Sequence, residues 1–369
     1  MMDSRRNPRI LVATDAVGGV WVYSVELARA LGELGVEAVL AVMGPSPDEC
    51  RREAAAGLRL IDTGLPLDWL ETSPAELRHS GDVLAGIATR EGVDVVQTSS
   101  AALLANTRFD QPCVAVQHSC VATWWSAVKA TAMPDEFLWR RELVEAGLNR
   151  AAAVVAPSVA FAADTARTYQ LSMPVVAVPN GRRTVLPQDL PRGDFVFTAS
   201  RLWDEGKNVA TLDRAAANLD FPFQAAGALQ GPNGAATSLS HIHALGELGH
   251  SRLAGLLAAR PVFASAALYE PFGLSALEAA QAGCALVLSD IPTHREIWGD
   301  AAVFVPARDD AAFTAAIERL FANVGQRHDL GERASARAAL YTPERMARGM
   351  AEIYAGVLES EPQLVAGAA

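Results

Sequence analysis

Positive charge is in short supply in this chain of 369 residues, where 31 Lys and Arg face 42 Asp and Glu for a net charge of -11. That balance excludes a nucleic-acid groove or a broad polybasic membrane surface, both of which need a dense field of cations. Any phosphate must then be met by a few individually placed cations. Cysteine is scarce as well: Cys50, Cys113, Cys120 and Cys284 are dispersed without a C-x-x-C pair. This argues for reduced thiols rather than a disulfide framework or a zinc site. No apolar run reaches membrane-spanning length, and the apolar stretch at residues 10–13 is too short for a signal-peptide core. A cytoplasmic protein is expected, with peripheral contact at the inner face of a membrane left open. The first loop, "TDAVGGVW", lacks G-x-G-x-x-G, and the second strand ends in Met43 and Gly44 without a ribose-binding acid, which disfavours a dehydrogenase.

What is present is apolar and regular. Hydrophobic residues make up 50% of the chain, enough for two to three well-packed domains. "RILVATD" at residues 9–15 reads as a buried strand. The following "GGVWVYSVELARALGELG" reads as a helix with Trp21, Val25, Ala28 and Leu31 on one side and Gly35 as its stop. "VEAVLAVMG" completes a βαβ unit whose first loop contains Gly18 and Gly19. Further strands are expected near residues 58–61, 93–97, 113–117, 153–156 and 175–178, mostly separated by helical patterns. After a Pro/Gly/charge-rich break at residues 179–194, the alternation restarts near 195–199, 223–226, 242–245, 262–264, 285–288 and 302–305. The pattern is that of an α/β protein with two Rossmann-like, doubly wound parallel-sheet domains, whose strand-end loops are expected to face a central cleft.

Three stretches carry chemistry. In "YEPFGLSALEAAQAGCALVLSD", residues 269–290, Ser275 to Glu278 has the spacing of a capping box, followed by a helix to Gly283 and a buried strand. That accounts for Glu278 and leaves Glu270 and the "PFG" turn unexplained. Bare amides at a helix start, approached closely through Gly273, suit a polar or anionic ligand, and two nearby carboxylates suit sugar hydroxyls. In "ASRLWDEGKN", Arg201 follows a strand and Lys207 stands at or just before a helix patterned by Val209, Leu212 and Ala216. The pair is suited to neutralising a diphosphate leaving group, although two cations alone are more often solvated surface charges. In "QHSCVATWW", His118 ends a strand, and Trp124 and Trp125 read as core or loop packing in preference to an acceptor platform. His241 and His243 alternate on a strand with no third ligand nearby, and no metal is assigned there.

These residues together resemble the retaining GT-B glycosyltransferases of family four (glycosyl transferases group 1). The resemblance rests on Gly18-Gly19, "QHS" at 117–119, "VPNG" at 178–181, "SRLWDEGKN" and E-x7-E in "EPFGLSALE", and it spans nearly the whole chain. It implies that Arg201 and Lys207 bind the donor diphosphate. Glu270 and the amides of Phe272, Gly273 and Leu274 would contact the transferred sugar, and Glu278 the nucleotide ribose. Gly18, Gly19 and Asn180 join the donor-binding set, and His118 lines the region near donor sugar and acceptor. It implies a nucleoside-diphosphate sugar as donor substrate, no cofactor and no metal, in keeping with the lack of a D-x-D pair. The acceptor is open between glycan, lipid and small molecule. Domains are expected at 1–185 on the acceptor side and 186–345 on the nucleotide-sugar side, then a helix and tail at 346–369 for which packing back on the first domain is one arrangement. A nucleotide-sugar epimerase on the same fold and a non-catalytic nucleotide-sugar binding protein remain as rivals. One departure stands out: the family often follows "PNG" with Val-Asp, where this chain has Arg182 and Arg183.

Overall fold

Among the described residues, thirteen short strands, most of them apolar, supply two parallel sheets. The computed structural model describes residues 7–70, 72–183 and 190–360. The first seven strands are β1 (Arg9–Asp15), β2 (Glu37–Met43), β3 (Arg59–Asp62), β4 (Val95–Thr98), β5 (Cys113–Val116), β6 (Ala153–Ala156) and β7 (Val175–Ala177), in the order β3-β2-β1-β4-β5-β6-β7. Side chains alternate across β1: Ile10 and Val12 enter one core, Leu11 and Ala13 the other, and all four are essentially inaccessible to solvent. A strand buried on both faces must be apolar at every position, and that is why it shows as a continuous apolar run. Trp21, Val25, Ala28 and Leu31 of the helix Gly19–Glu33 line the first of these cores, as their spacing predicts, and Gly35 takes a φ of 77° just beyond the helix.

The second sheet holds β8 (Val196–Ala199), β9 (Phe223–Ala226), β10 (His243–Ala244), β11 (Val262–Ser265), β12 (Ala285–Ser289) and β13 (Val303–Val305), in the order β10-β9-β8-β11-β12-β13. Every pairing in both sheets is parallel. Two doubly wound α/β units result, as the alternation predicts. Strand order reverses between β1 and β4 in one sheet and between β8 and β11 in the other, and loops at such a reversal diverge and open a crevice at the carboxyl ends of the strands.

By internal contacts, the first unit takes the residues up to Ser126, Thr131–Gly181 and those from Pro343 on; the second takes Ala127–Ala130 and Arg182–Thr342. The final helix, Pro343–Glu359, buries Met346, Ala347, Met350, Tyr354 and Val357 in the core shared with the helix Gly19–Glu33. The Tyr354 hydroxyl donates to Gln97 Oε1 on β4, and the Gln97 amide reaches the Tyr23 hydroxyl at 3.5 Å. The centre of the expected linker and the 185/186 boundary lie outside the described residues, as does the tail beyond 360. No disulfide joins any of the four cysteines, and no helix among the described residues is long and apolar enough to cross a membrane.

Candidate active site

The site on the second unit grows from its strand-order reversal. β8 runs into Ser200 and Arg201, and β11 runs into the loop that carries Glu270. The two loops are sewn together by backbone: the amides of Leu268 and Tyr269 both donate to the Gly206 carbonyl, at 2.8 and 3.2 Å. This places Lys207 Nζ 2.7 Å from Glu270 Oε2, with only 14% and 15% of the two side chains exposed. Burial alone would push the Glu270 carboxyl up. The Lys207 charge and hydrogen bond outweigh it, helped by His294 and Arg201, so the group is held below its usual value and stays ionised. Arg201 donates to Asp204 Oδ2 at 2.9 Å. The sequence thus brings both cations to one place, each steadied by an acid.

Three positioning residues escaped the sequence reading. Asp204, buried, also accepts from the Gly206 amide at 2.9 Å and so shapes the turn that presents Lys207. Asn208 adopts a left-handed φ of 51°, and its amide ties the loop to the Ala266 and Ala307 carbonyls at 2.9 and 2.7 Å. His294 is 1% exposed, with Nδ1 2.9 Å from the Ser289 carbonyl. A carbonyl only accepts, so Nδ1 carries the proton and the Nε2 side is the one open to other chemistry. Burial lowers its pKa in spite of the Glu270 charge, which acts to raise it. "DEGKN" was a visible clue to Asp204 and Asn208; His294 is joined to Glu270 only by tertiary packing.

The PFG turn behaves differently from expectation in one respect. The helix runs Leu274–Gln281 with Gly273 as its N-cap, at φ 94°, and no side chain caps it. Ser275 therefore sits inside the first turn, so the predicted capping box does not form. Glu278 turns instead to Arg182, whose Nε donates to Oε1 at 2.7 Å with both side chains 11% exposed. The physical reason is competition: a carboxylate one turn into a helix gains more from a guanidinium than from a serine amide. Phe272 is 3% exposed and packs edge-on to Tyr341 at 5.5 Å, so only its backbone is available to a ligand, while Leu274 is half-buried. The uncapped amides at 273–275 have the positive end of a helix dipole behind them.

On the first unit, Gly18 has a φ of 84° and caps the helix Gly19–Glu33 with no side-chain partner; both glycines are exposed. The loop is braced by the Val17 amide on Asp15 Oδ1 at 2.7 Å. His118 follows β5 and packs edge-on to Tyr23 with ring centroids 4.2 Å apart. Its Nε2 is shielded from solvent and meets no hydrogen-bond partner among the described residues, and burial lowers its pKa to about 4. Asn180 is buried with Oδ1 likewise without a partner among the described residues. Trp124 and Trp125 are half-buried and T-shaped at 6.1 Å; Trp125 also packs on Phe137 at 5.8 Å and donates to the Thr131 carbonyl at 2.9 Å. The His241 amide donates to Asp213, His243 lies on β10, and no group of three metal-ligating side chains occurs among the described residues.

Comparisons with known proteins agree with this architecture. The family model Glycosyltransferase Family 4 matches residues 17–185, and Glycosyl transferases group 1 matches residues 235–337. No curated protein matches by sequence. Among solved structures, sucrose-phosphate synthase from Thermosynechococcus elongatus is 20% identical, with 96% of this chain and 100% of that one aligned at a TM-score of 0.78. Anabaena HepE in complex with UDP and glucose is 17% identical, covering 94% and 99% at a TM-score of 0.73. WaaG, a glycosyltransferase involved in lipopolysaccharide biosynthesis, is 14% identical, covering 94% and 100% at 0.68. At these identities the likeness speaks for the fold. Retention of configuration and independence of a metal ion are properties of the matched family. Sheet topology, the spacing of its charged motifs and both family models converge: the chain belongs to glycosyltransferase family 4, a nucleotide-sugar-dependent transferase on the GT-B fold.

Proposed function

We propose that this chain transfers a hexose from a uridine diphosphate donor, with UDP-glucose as the first candidate, to a hydroxyl of a glycan, lipid or small-molecule acceptor. The observation that carries the reading is the cluster at the β8/β11 reversal, where Lys207 and Glu270 meet at 2.7 Å beside Arg201. Anabaena HepE, whose structures include one in complex with UDP-glucose, supports the choice of donor. As the glycosidic bond breaks, negative charge grows on the diphosphate and positive charge on the sugar ring. Arg201, Lys207 and the uncapped amides at 273–275 are suited to the first, and the ionised Glu270 to orienting the sugar hydroxyls and tolerating the second. Glu278 is assigned to the ribose. Gly18 and Gly19 offer bare backbone to the donor, Asn180 offers its buried Oδ1, and His118 orients sugar and acceptor as a neutral imidazole. No protein nucleophile is assigned.

A donor panel tests this. Calorimetry with UDP-, GDP- and ADP-glucose is followed by mass spectrometry of products formed from cell-extract acceptors, with and without chelator. Binding of UDP-glucose and chelator-resistant transfer are expected. A preparation that binds no nucleotide sugar, or that turns over only with magnesium or manganese, overturns the reading.

A further inference from the structure

Arg182 stands where the family pattern often has a valine, which has no donor to offer. Here the residue is anchored three ways. Its amide donates to the Tyr341 carbonyl at 3.3 Å, its carbonyl accepts from Gln281 Nε2 at 2.5 Å, and its Nε donates to Glu278 Oε1 at 2.7 Å. Glu278 and Gln281 lie three residues apart on one helix, so backbone and side chain of Arg182 grip the same face of it. The far end of the guanidinium approaches the His250 ring, 2.9 Å from Nδ1 and 3.2 Å from Nε2. Guanidinium only donates, so an unprotonated ring nitrogen of His250 is the acceptor there. A carboxylate on a flexible stem has several orientations; this one is fixed by a planar donor that is itself held at both ends.

We propose that Arg182 is a positioning and specificity residue of the donor site: by holding Glu278 through Oε1 it aims Oε2 at the ribose diol, and so sets the preference for ribose over deoxyribose. The inference rests on the assignment of Glu278 to the ribose. Replacing both partners of a buried ion pair changes net stability little, whereas removing one leaves the other charge uncompensated, so a variant of both partners reads orientation apart from stability. The diphosphate is assigned to Arg201 and Lys207, so pyrophosphate serves as the control ligand.

The test is calorimetry of UDP, GDP and ADP, their 2′-deoxy counterparts, and inorganic pyrophosphate, on the full chain. The wild type is expected to prefer the ribonucleotide about tenfold, a difference of ~1.4 kcal/mol. Arg182→Ala should erase that preference while changing pyrophosphate affinity less than about twofold, and Arg182→Lys should restore part of it. The double variant Arg182→Met with Glu278→Gln leaves no unpaired charge and keeps the test valid if Arg182→Ala fails to fold; it should match the preference of Glu278→Gln alone. A ribose preference that survives in Arg182→Ala, or a double variant whose preference differs from that of Glu278→Gln alone, overturns the inference, as does an equal loss for ribonucleotide, deoxynucleotide and pyrophosphate. A wild type that binds none of the nucleoside diphosphates overturns the donor-site reading itself.

Discussion

Lys207 and Glu270 neutralise one another where either alone would be an unpaired buried charge. Lys207→Met should therefore act twice. Transfer should fall roughly a hundredfold, about 3 kcal/mol, through loss of the diphosphate contact, and stability at pH 7 should fall by about 2–4 kcal/mol as Glu270 loses its partner. The pH dependence follows from the sign of the shift. In the wild type the folded Glu270 carboxyl titrates below its unfolded value, so its stabilisation is present above about pH 4.3 and lost as pH falls through the folded pKa. Without Lys207, burial acts with less opposition and the neutral acid is favoured, so urea unfolding should show the gap between variant and wild type narrowing from pH 7 to 4.5. A constant gap would detach Lys207 from Glu270. His118 makes a separate prediction. Its pKa of about 4 keeps it neutral at physiological pH, and the unfolded histidine near ~6.5 binds a proton first, so stability should decline as pH drops from ~6.5 towards ~4. A proton NMR titration that places the His118 ring near 6.5 would contradict this. His118→Ala should keep nucleoside-diphosphate affinity within about threefold while transfer drops roughly tenfold through poorer positioning; calorimetry and turnover on one preparation separate the two.

The helix Leu274–Gln281 illustrates how much an element reveals in advance. Gly273 has a φ of 94°, no side chain caps the helix, and a Cβ at this position would stand 3.4 Å from Glu270 Cγ, so the turn depends on glycine. Gly273→Ala should cost about 1–2 kcal/mol and weaken donor binding, whereas Ser275→Ala should cost under about 0.5 kcal/mol because no capping box exists to lose. Thermal unfolding of the two variants decides the matter, and a larger loss for Ser275→Ala would reinstate the box. The strands are legible because a sheet covered on both faces needs unbroken apolar runs, and β1, β2 and β12 have them. The helix start is easily misread because S-x-x-E fits many first turns, while the deciding partner of Glu278 lies 96 residues away at Arg182. The motif "DEGKN" announces a loop of consequence, yet the carbonyl of Gly206 that joins it to residues 268 and 269 cannot be seen in a linear pattern. Long-range pairing is what sequence periodicity leaves out.

At the scale of the molecule, the first unit is completed by residues that follow the second unit along the chain. Met346, Ala347, Met350, Tyr354 and Val357 are all under 10% exposed. At roughly 1.5–3 kcal/mol for each large side chain, their burial is comparable to the whole stability of a domain, about 5–15 kcal/mol. A chain ending at Thr342 should lose the first unit's cooperative melting transition while the second unit still binds UDP. Calorimetric scanning and titration check both halves, and retention of both transitions would show the helix dispensable. The same arrangement bears on how the protein is born. Synthesis at ~5–20 residues per second must traverse Arg182–Thr342 before the closing helix exists. For on the order of ten to thirty seconds the ribosome carries an N-terminal half with the face around Trp21 and Tyr23 bare, and the later-made half is free to fold first. Nascent-chain chaperones should therefore occupy that face until the helix Pro343–Glu359 has emerged, and release should coincide with its emergence rather than with that of the first seven strands.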